Sequence, residues 1–386
     1  MTTAVQPKSS PARGVLRSVS VVVPTFREVD NLPELIERLD AVRQAADLDL
    51  EVLIVDDNSR DGTSELIARL AVPWVRLLVR TDERGLSSAV VHGLRHAPHD
   101  VTLVMDADLS HPPERIPDML AALAAGAEFV IGSRYVPGAA TDEHWGLFRW
   151  LNSKVATLLA RPFTRARDPM AGFFACRRAA LPDPAILNPI GYKIGLELLV
   201  KGGFRGVAEV PIHFADRRHG QSKLSLAEQV RYVQNLWRLL VFRYPRTARG
   251  LSALTAAAVA AVLNLAVIVG GLLAGVAFEP ALAAAILAAG VVETLVFARI
   301  TPDRPSSRAG AGLPAIALLR AAALLANAAV ALWSWRTWGF APIPAALTGI
   351  GVGAAVSFVV EWCRSPVDRN ERNVARSPGA RRRSWP

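Results

Sequence analysis

The sequence predicts a doubly wound α/β domain with a mostly parallel sheet, followed by an all-α domain of four membrane-crossing helices. Three observations lead there. Short apolar runs alternate with helix-like segments through the first part of the chain, which is the pattern of parallel strands joined by crossover helices. Near residue 250 the composition shifts to long stretches almost without charge. The whole chain of 386 residues, 51% hydrophobic and 20% charged, has a mean hydropathy of +0.27, too apolar for one soluble domain of ordinary composition.

The elements follow in order. "MTTAVQPKSSPARGV" has no apolar core of the signal-peptide kind and is rich in Pro, Ser and basic residues, so residues 1–17 read as a disordered tail. Residues 18–223 form the α/β domain, with strands in "SVSVVVPTF", "LEVLIVDD", "VTLVMDAD" and "EFVIGSR" and helices in "LPELIERLDAVRQA" and "TSELIARLA". Open sheets of this kind take ligands at the carboxyl ends of their strands, where "VDDNSRDGT" and "MDADLSHPPE" fall. Residues 224–249 hold Leu226, Val230, Val233, Leu236, Trp237 and Leu240 at helical spacing beside several arginines. That is the pattern of an amphipathic helix lying among lipid headgroups.

Residues 250–363 contain apolar stretches at 253–277, 280–298, 313–335 and 343–362, each near the ~20 residues that cross a bilayer. Arg243, Arg246 and Arg249 precede the first, Arg299, Arg304 and Arg308 fall between the second and third, and a basic tail, 364–386, follows the fourth. The other two connections carry almost no basic residue. The positive-inside rule therefore places the α/β domain and both termini of an integral membrane protein in the cytoplasm. Glu293 and Arg320 sit at matching depth, ~10 Å in from the cytoplasmic ends of the second and third stretches, and are expected to pair. The net charge of +10 is then accounted for by the membrane, without nucleic acid. Cys176 and Cys363, the two cysteines, make neither a disulfide framework nor a cysteine metal site and fit a reduced compartment.

The chemistry concentrates at the strand ends. Asp106 and Asp108 converge if the chain turns at Asp108, and like charges that close call for a cation between them. A hard divalent ion, Mg²⁺ or Mn²⁺, suits such oxygen ligands and commonly binds substrate phosphates too. The alternative is that Asp108 caps the next segment while Asp106 is a solvated strand end. In "VDDNSRDGTSELI", Asp57 or Asp61 suits a helix cap, which leaves a carboxylate of the Asp56–Asp57 pair to accept from a nucleobase edge or ribose. Gly85 of "RGLSSAVVHGL" opens a helix at a phosphate-facing turn or serves packing alone. His111 reads as a turn residue packed beside Pro112.

"VVPTFREVDNLPELI", "VDDNSRDGT", "GLSSAVVHGL", "MDADLSHPPE", "IGSRYVPG", "DPMAGFFACRR", "GYKIGLELLVKG" and "EVPIHFADRRHGQSKL" resemble, in order and spacing, the motifs of polyprenol (dolichol) phosphate mannose synthases, a branch of the family 2 glycosyltransferases. The resemblance covers about residues 18–235. The membrane part resembles a GtrA-type four-helix domain in helix count and apolarity. The resemblance implies a GT-A fold and transfer of a hexose, normally mannose from GDP-mannose, to a polyprenyl monophosphate with inversion. It implies a nucleotide pocket of Pro24, Phe26, Glu28, Asp56 and Asp57, with Phe26 where tyrosine is usual. It implies metal and diphosphate contacts at Asp106 and Asp108, with Ser110 in the place of a common glutamine ligand, and Arg134, Arg149 and Ser153 facing the acceptor phosphate. Arg217 and Lys223 match a loop that closes over the diphosphate, and Asp168 falls in "DPMAGFF", where Ala171 replaces a common serine. Two other readings are a UDP-glucose-dependent polyprenyl-phosphate glucosyltransferase and a catalytically silent lipid-phosphate-binding scaffold. A flippase in which the four helices do the work is disfavoured by their few polar residues.

Overall fold

The computed structural model describes residues 16–142, 147–215, 226–301 and 313–364. They divide into two compact units, with the boundary in the chain between Leu239 and Leu240.

The first unit begins with β1 (Ser18–Thr25), α1 (Leu32–Ala45), β2 (Asp49–Asp56), α2 (Thr63–Leu70), β3 (Val75–Val79), α3 (Leu86–His96) and β4 (Val101–Val104). It continues with α4 (Ile116–Ala124), β5 (Phe129–Ser133), β6 (Ala140–Thr141), α5 (Leu147–Ala160), β7 (Phe174–Arg177), α6 (Ile194–Gly202), β8 (Val207–Pro211) and β9 (His213–Phe214). Helix α7 (Leu226–Arg243) runs across the boundary. Seven strands pair in the order β3-β2-β1-β4-β7-β5-β8. All neighbours are parallel except β7, which runs antiparallel to both β4 and β5. β6 and β9 form a separate short parallel pair.

Strand β1 shows why the chain folds this way. Side chains alternate across a strand, and both faces here are covered by helices. Val19, Val21 and Val23 are fully buried with Leu32, Leu35 and Leu39 of α1, whereas Val22 is buried on the other face with Val90 and Leu94 of α3. A continuous valine run is what a strand buried on both faces requires. Gly93 lets α3 approach closely, since a Cβ there would lie 2.4 Å from the Val22 side chain. The chain moves outward from β1 through β2 to β3, then returns to lay β4 on the opposite side of β1. A crevice opens at such a reversal, beyond the carboxyl ends of the strands.

The second unit consists of α8 (Pro245–Leu273), α9 (Phe278–Ile300), α10 (Leu313–Thr337) and α11 (Pro342–Arg364). Among the described residues, three helices are long and apolar enough to cross a membrane: Pro245–Leu273, Phe278–Ile300 and Pro342–Cys363. Val262 and Leu287 remain 72% and 70% exposed, an outer surface suited to lipid rather than water. Small residues bring the helices together. A Cβ at Gly290 would lie 2.8 Å from Leu324, and one at Gly250 would lie 2.6 Å from Phe358. The expected Glu293–Arg320 pair does not form. Arg320 donates to the Thr294 hydroxyl at 2.9 Å and lies over the Phe297 ring. Successive residues point ~100° apart around a helix of 3.6 residues per turn, so matching depth does not ensure a shared face.

Candidate active site

The chain leaves the sheet just after β4, and Met105 N–H makes a last bond to Val22 O at 3.1 Å. Leu109 then takes φ +63°, a left-handed conformation uncommon for a residue other than glycine. This tight turn brings Asp106 and Asp108 together on the wall of a cleft of about 740 Å³. Asp108 is 6% exposed, and its Oδ1 accepts from the Ser110 hydroxyl at 2.5 Å and the Ser110 N–H at 3.2 Å. Ser110 is buried and does not line the cleft; it orients Asp108 from behind. His111 Nδ1 accepts from the Asp106 N–H at 2.9 Å, and the ring is stacked on Phe173. His111 therefore organises the turn as well as packing in it. Opposite lies Gly172, where a Cβ would come 3.2 Å from His111 and 3.3 Å from the Asp106 carboxylate. Two oxygen donors in an open cradle fit a hard divalent cation. Among the described residues no group of three or more His, Cys, Asp or Glu side chains forms a complete metal-binding set.

Above β1, Phe26 is flanked by the guanidinium groups of Arg27 at 5.3 Å and Arg84 at 5.4 Å from its ring centre. Pro24 and Glu28 line the same end of the cleft, and Glu28 accepts from Asn31 Nδ2 at 2.7 Å. The two aspartates after β2 have separate duties. Asp57 lines the cleft but is bound on both oxygens, by Arg80 Nε at 2.8 Å and by Gly85 N–H at 2.7 Å. It thereby ties the turn at Gly85, φ +140°, to the end of β2. Asp56 is buried outside the cleft and accepts from Ser59 N–H at 2.9 Å and the Ser59 hydroxyl at 2.6 Å. The N-cap of α2 is Gly62; Asp61, one residue earlier, accepts from Thr63 N–H at 3.1 Å and the Thr63 hydroxyl at 2.8 Å, and shares the Ser59 hydroxyl, 2.8 Å away, with Asp56. Partial burial pushes the Asp61 carboxyl up, but these bonds from Thr63 and Ser59 outweigh it and hold it below the usual aspartate value.

Across the cleft, Arg134 spends its fork on Asp168, with Nε donating at 2.7 Å and Nη2 at 2.8 Å, while its backbone N–H donates to the same carboxylate at 3.0 Å. Burial lowers the tendency of this guanidinium to hold its proton, and the bonds to the fully buried Asp168 more than restore it, so its pKa is raised. Arg134 thus presents fixed positive charge to the cleft rather than a bidentate fork. Ser153 of α5 bonds the Tyr135 hydroxyl at 2.7 Å. Arg149 belongs to α5, but its side chain lies outside the described residues, as do Arg217 and Lys223. The cleft also contains Arg84, Lys193 and Tyr232, which the motif reading passed over. Lys193 sits in "GYKIG" and donates to Met170 O at 3.2 Å. Tyr232 of α7 donates to Ala156 O at 2.7 Å, and burial raises its pKa. Its signal was a polar residue on the helix read only for its apolar spacing.

Residues 20–183 match the model of Glycosyl transferase family 2. The dolichol-phosphate mannosyltransferase of Mycosarcoma maydis is 45% identical over 236 residues, 59% of this chain and 80% of that protein. That of Pyrococcus furiosus is 44% identical over 227 residues, 58% of this chain and 63% of the relative. The polyprenol monophosphomannose synthase of Mycolicibacterium smegmatis is 37% identical over 219 residues, 53% and 80% of the two. A glucosyl-3-phosphoglycerate synthase from Mycobacterium tuberculosis overlaps 62% of this chain and 85% of its own with a TM-score of 0.44 at 18% identity, too loose a fit to inform the chemistry.

Proposed function

The chain belongs to the dolichol-phosphate mannosyltransferase family within glycosyl transferase family 2, and from that membership we propose that it makes polyprenyl-phosphate-mannose from GDP-mannose. A phosphate oxygen of the polyprenyl monophosphate attacks the anomeric carbon of the mannosyl group, the bond from that carbon to the diphosphate breaks, and GDP leaves with inversion of configuration. The observation that carries this reading is the turn at Leu109, which aims two carboxylates into a cleft that reaches from Phe26 to Ser153 and Tyr232.

The acceptor oxygen is already an anion, so the reaction needs orientation and relief of repulsion between two phosphorylated reactants rather than a strong base. Phe26, with Arg27 and Arg84 against its ring, borders the nucleotide pocket together with Pro24 and Glu28. Asp57, with Arg80, holds the Gly85 turn beside the nucleotide, and Asp56 steadies the strand end behind it. Arg134, oriented by Asp168, supplies positive charge toward the acceptor phosphate, with Ser153 and Arg149 on α5 as partners in that role. Asp106 and Asp108, the latter held by Ser110, would hold Mg²⁺ or Mn²⁺, which when bound offsets the charge developing on the departing diphosphate. Arg217 and Lys223 act on the same diphosphate. The second unit anchors the enzyme through four spans, with the catalytic unit and both termini cytoplasmic.

Membranes containing the full chain are incubated with GDP-[¹⁴C]mannose or UDP-[¹⁴C]glucose, polyprenyl phosphate, and Mg²⁺, Mn²⁺ or EDTA. Labelled mannosyl lipid that requires the divalent ion is expected. Glucosyl lipid as the main product, or EDTA-insensitive transfer, overturns the sugar or the metal assignment respectively.

A further inference from the structure

The four helices of the second unit surround a polar spot for which sugar transfer has no use. A cavity of about 30 Å³ is lined by Asn264 of α8, Glu293 of α9, Asn327 of α10 and Ser357 of α11, with most of the remaining wall alanine and glycine. That volume accommodates a water or a small ion. Asn264 is 1% and Asn327 8% exposed, and the Oδ1 of each has no hydrogen-bond partner among the described residues. Between lipid-facing helices an unpaired carbonyl oxygen is costly, and so is a carboxylate. Glu293 forms no ion pair among the described residues, because Arg320 of the adjoining helix is engaged by Thr294 and Phe297. Glu361, the buried acid of α11, is instead accompanied by Arg249 at 3.7 Å. The space for the amide is built in: a Cβ at Gly349 would lie 2.6 Å from Asn327 Oδ1, and one at Gly353 would lie 3.1 Å from Asn327 Cβ.

One carboxylate, two amide oxygens and a hydroxyl, one from each helix, make a hard donor set bearing a single negative charge. A divalent ion stripped of most of its water wants more carboxylates than this. We propose that Glu293, Asn264, Asn327 and Ser357 form a binding site for one partly dehydrated monovalent cation of sodium's size within the helical bundle. The cation neutralises Glu293, satisfies both amide oxygens and ties all four helices to one point, so the packing of the bundle responds to the ion. This inference rests on the second unit being embedded in lipid and is independent of the transfer reaction.

The full chain is purified in detergent, and its melting temperature is followed at constant ionic strength as choline chloride is replaced by NaCl or KCl. A saturable rise with NaCl, smaller with KCl, is expected, together with binding of one ²²Na⁺ per chain. In Glu293→Gln the half-saturating NaCl concentration should rise at least tenfold, and in Ser357→Ala, the milder change if Glu293→Gln does not fold, several-fold. Mannosyl transfer assayed in the same preparations should be unchanged by either substitution. Equal melting in choline and sodium, a wild-type sodium response in both variants, or a response to pH alone overturns the site. Loss of transfer in the wild-type preparation with the sodium response intact would count against the proposed reaction, not against this site.

Discussion

At the residue scale the two aspartates after β4 are the most exacting part of the molecule. Asp108→Asn keeps the shape and the bonds from Ser110 but removes one charge from the proposed metal cradle. Transfer should fall at least a hundredfold with melting temperature nearly unchanged, and a variant retaining near-wild-type turnover at saturating Mg²⁺ or Mn²⁺ would remove Asp108 from the metal site. Ser110 makes a different prediction. Groups that orient a metal ligand typically affect metal affinity by about 10- to 100-fold, so Ser110→Ala should raise the half-activating metal concentration by that order while leaving turnover at saturating metal largely intact. Equal loss at all metal concentrations would mean that Ser110 does more than orient Asp108. The place of the aspartate pair at the cleft was legible from the chain, because two like charges closing an apolar strand fall where open sheets take ligands. The partner of Ser110 was not: whether a hydroxyl faces the cleft or its neighbouring carboxylate depends on the left-handed turn at Leu109, and no spacing rule reports it. Asp168 was similarly hidden, since its partner Arg134 is 34 residues away in the chain.

At the scale of elements, the strands and helices of the first half were readable because burial on both faces writes continuous valine and leucine runs. The main-sheet strands not read were β3 and β8, most of whose residues are only partly buried, and β7, four residues that slot antiparallel between β4 and β5. Loops joined by charge are the other feature beyond pattern reading. Breaking the Arg134–Asp168 pair by Asp168→Ala takes the bidentate carboxylate from a largely buried guanidinium, and removing one partner of a buried ion pair typically costs about 3–5 kcal/mol. Chemical denaturation should show a drop of that order together with reduced transfer, whereas a drop below about 1 kcal/mol would mean that the pair contributes little to the fold. The entry to α2 carries its own pH dependence. Because Asp61 has a lowered pKa in the folded state, it stabilises above the unfolded aspartate value of about 3.9, and that contribution is lost as pH falls through its folded value. Asp61→Ala removes hydrogen bonds to a carboxylate and should therefore cost on the order of 1 kcal/mol near neutral pH, with the difference from wild type shrinking below about pH 4. A difference that stays constant down to pH 2 would remove Asp61 charge from the stability of α2.

At the scale of the whole molecule, the proposed orientation rests on where the arginines fall, and the cysteines allow it to be measured. Cys176 is fully buried, and burial pushes its thiol up to about 12, so it stays protonated and out of reach of a labelling reagent at neutral pH. Cys363, by contrast, is exposed one residue before the end of α11. Both facts hold within single units, so the native chain already carries one accessible thiol at the far end of its last apolar helix. Four spans return that end to the side on which the chain entered, whereas an odd number of spans places it opposite the catalytic unit. Arg69→Cys adds a second reporter on an exposed position of the catalytic unit. In sealed vesicles with the cytoplasmic face outward, a membrane-impermeant maleimide should label Cys363 and the cysteine of Arg69→Cys alike, and in vesicles of the opposite sense neither until detergent is added. Labelling of the two positions from opposite faces would overturn the four-span count, and labelling of both from the external face would reverse the orientation.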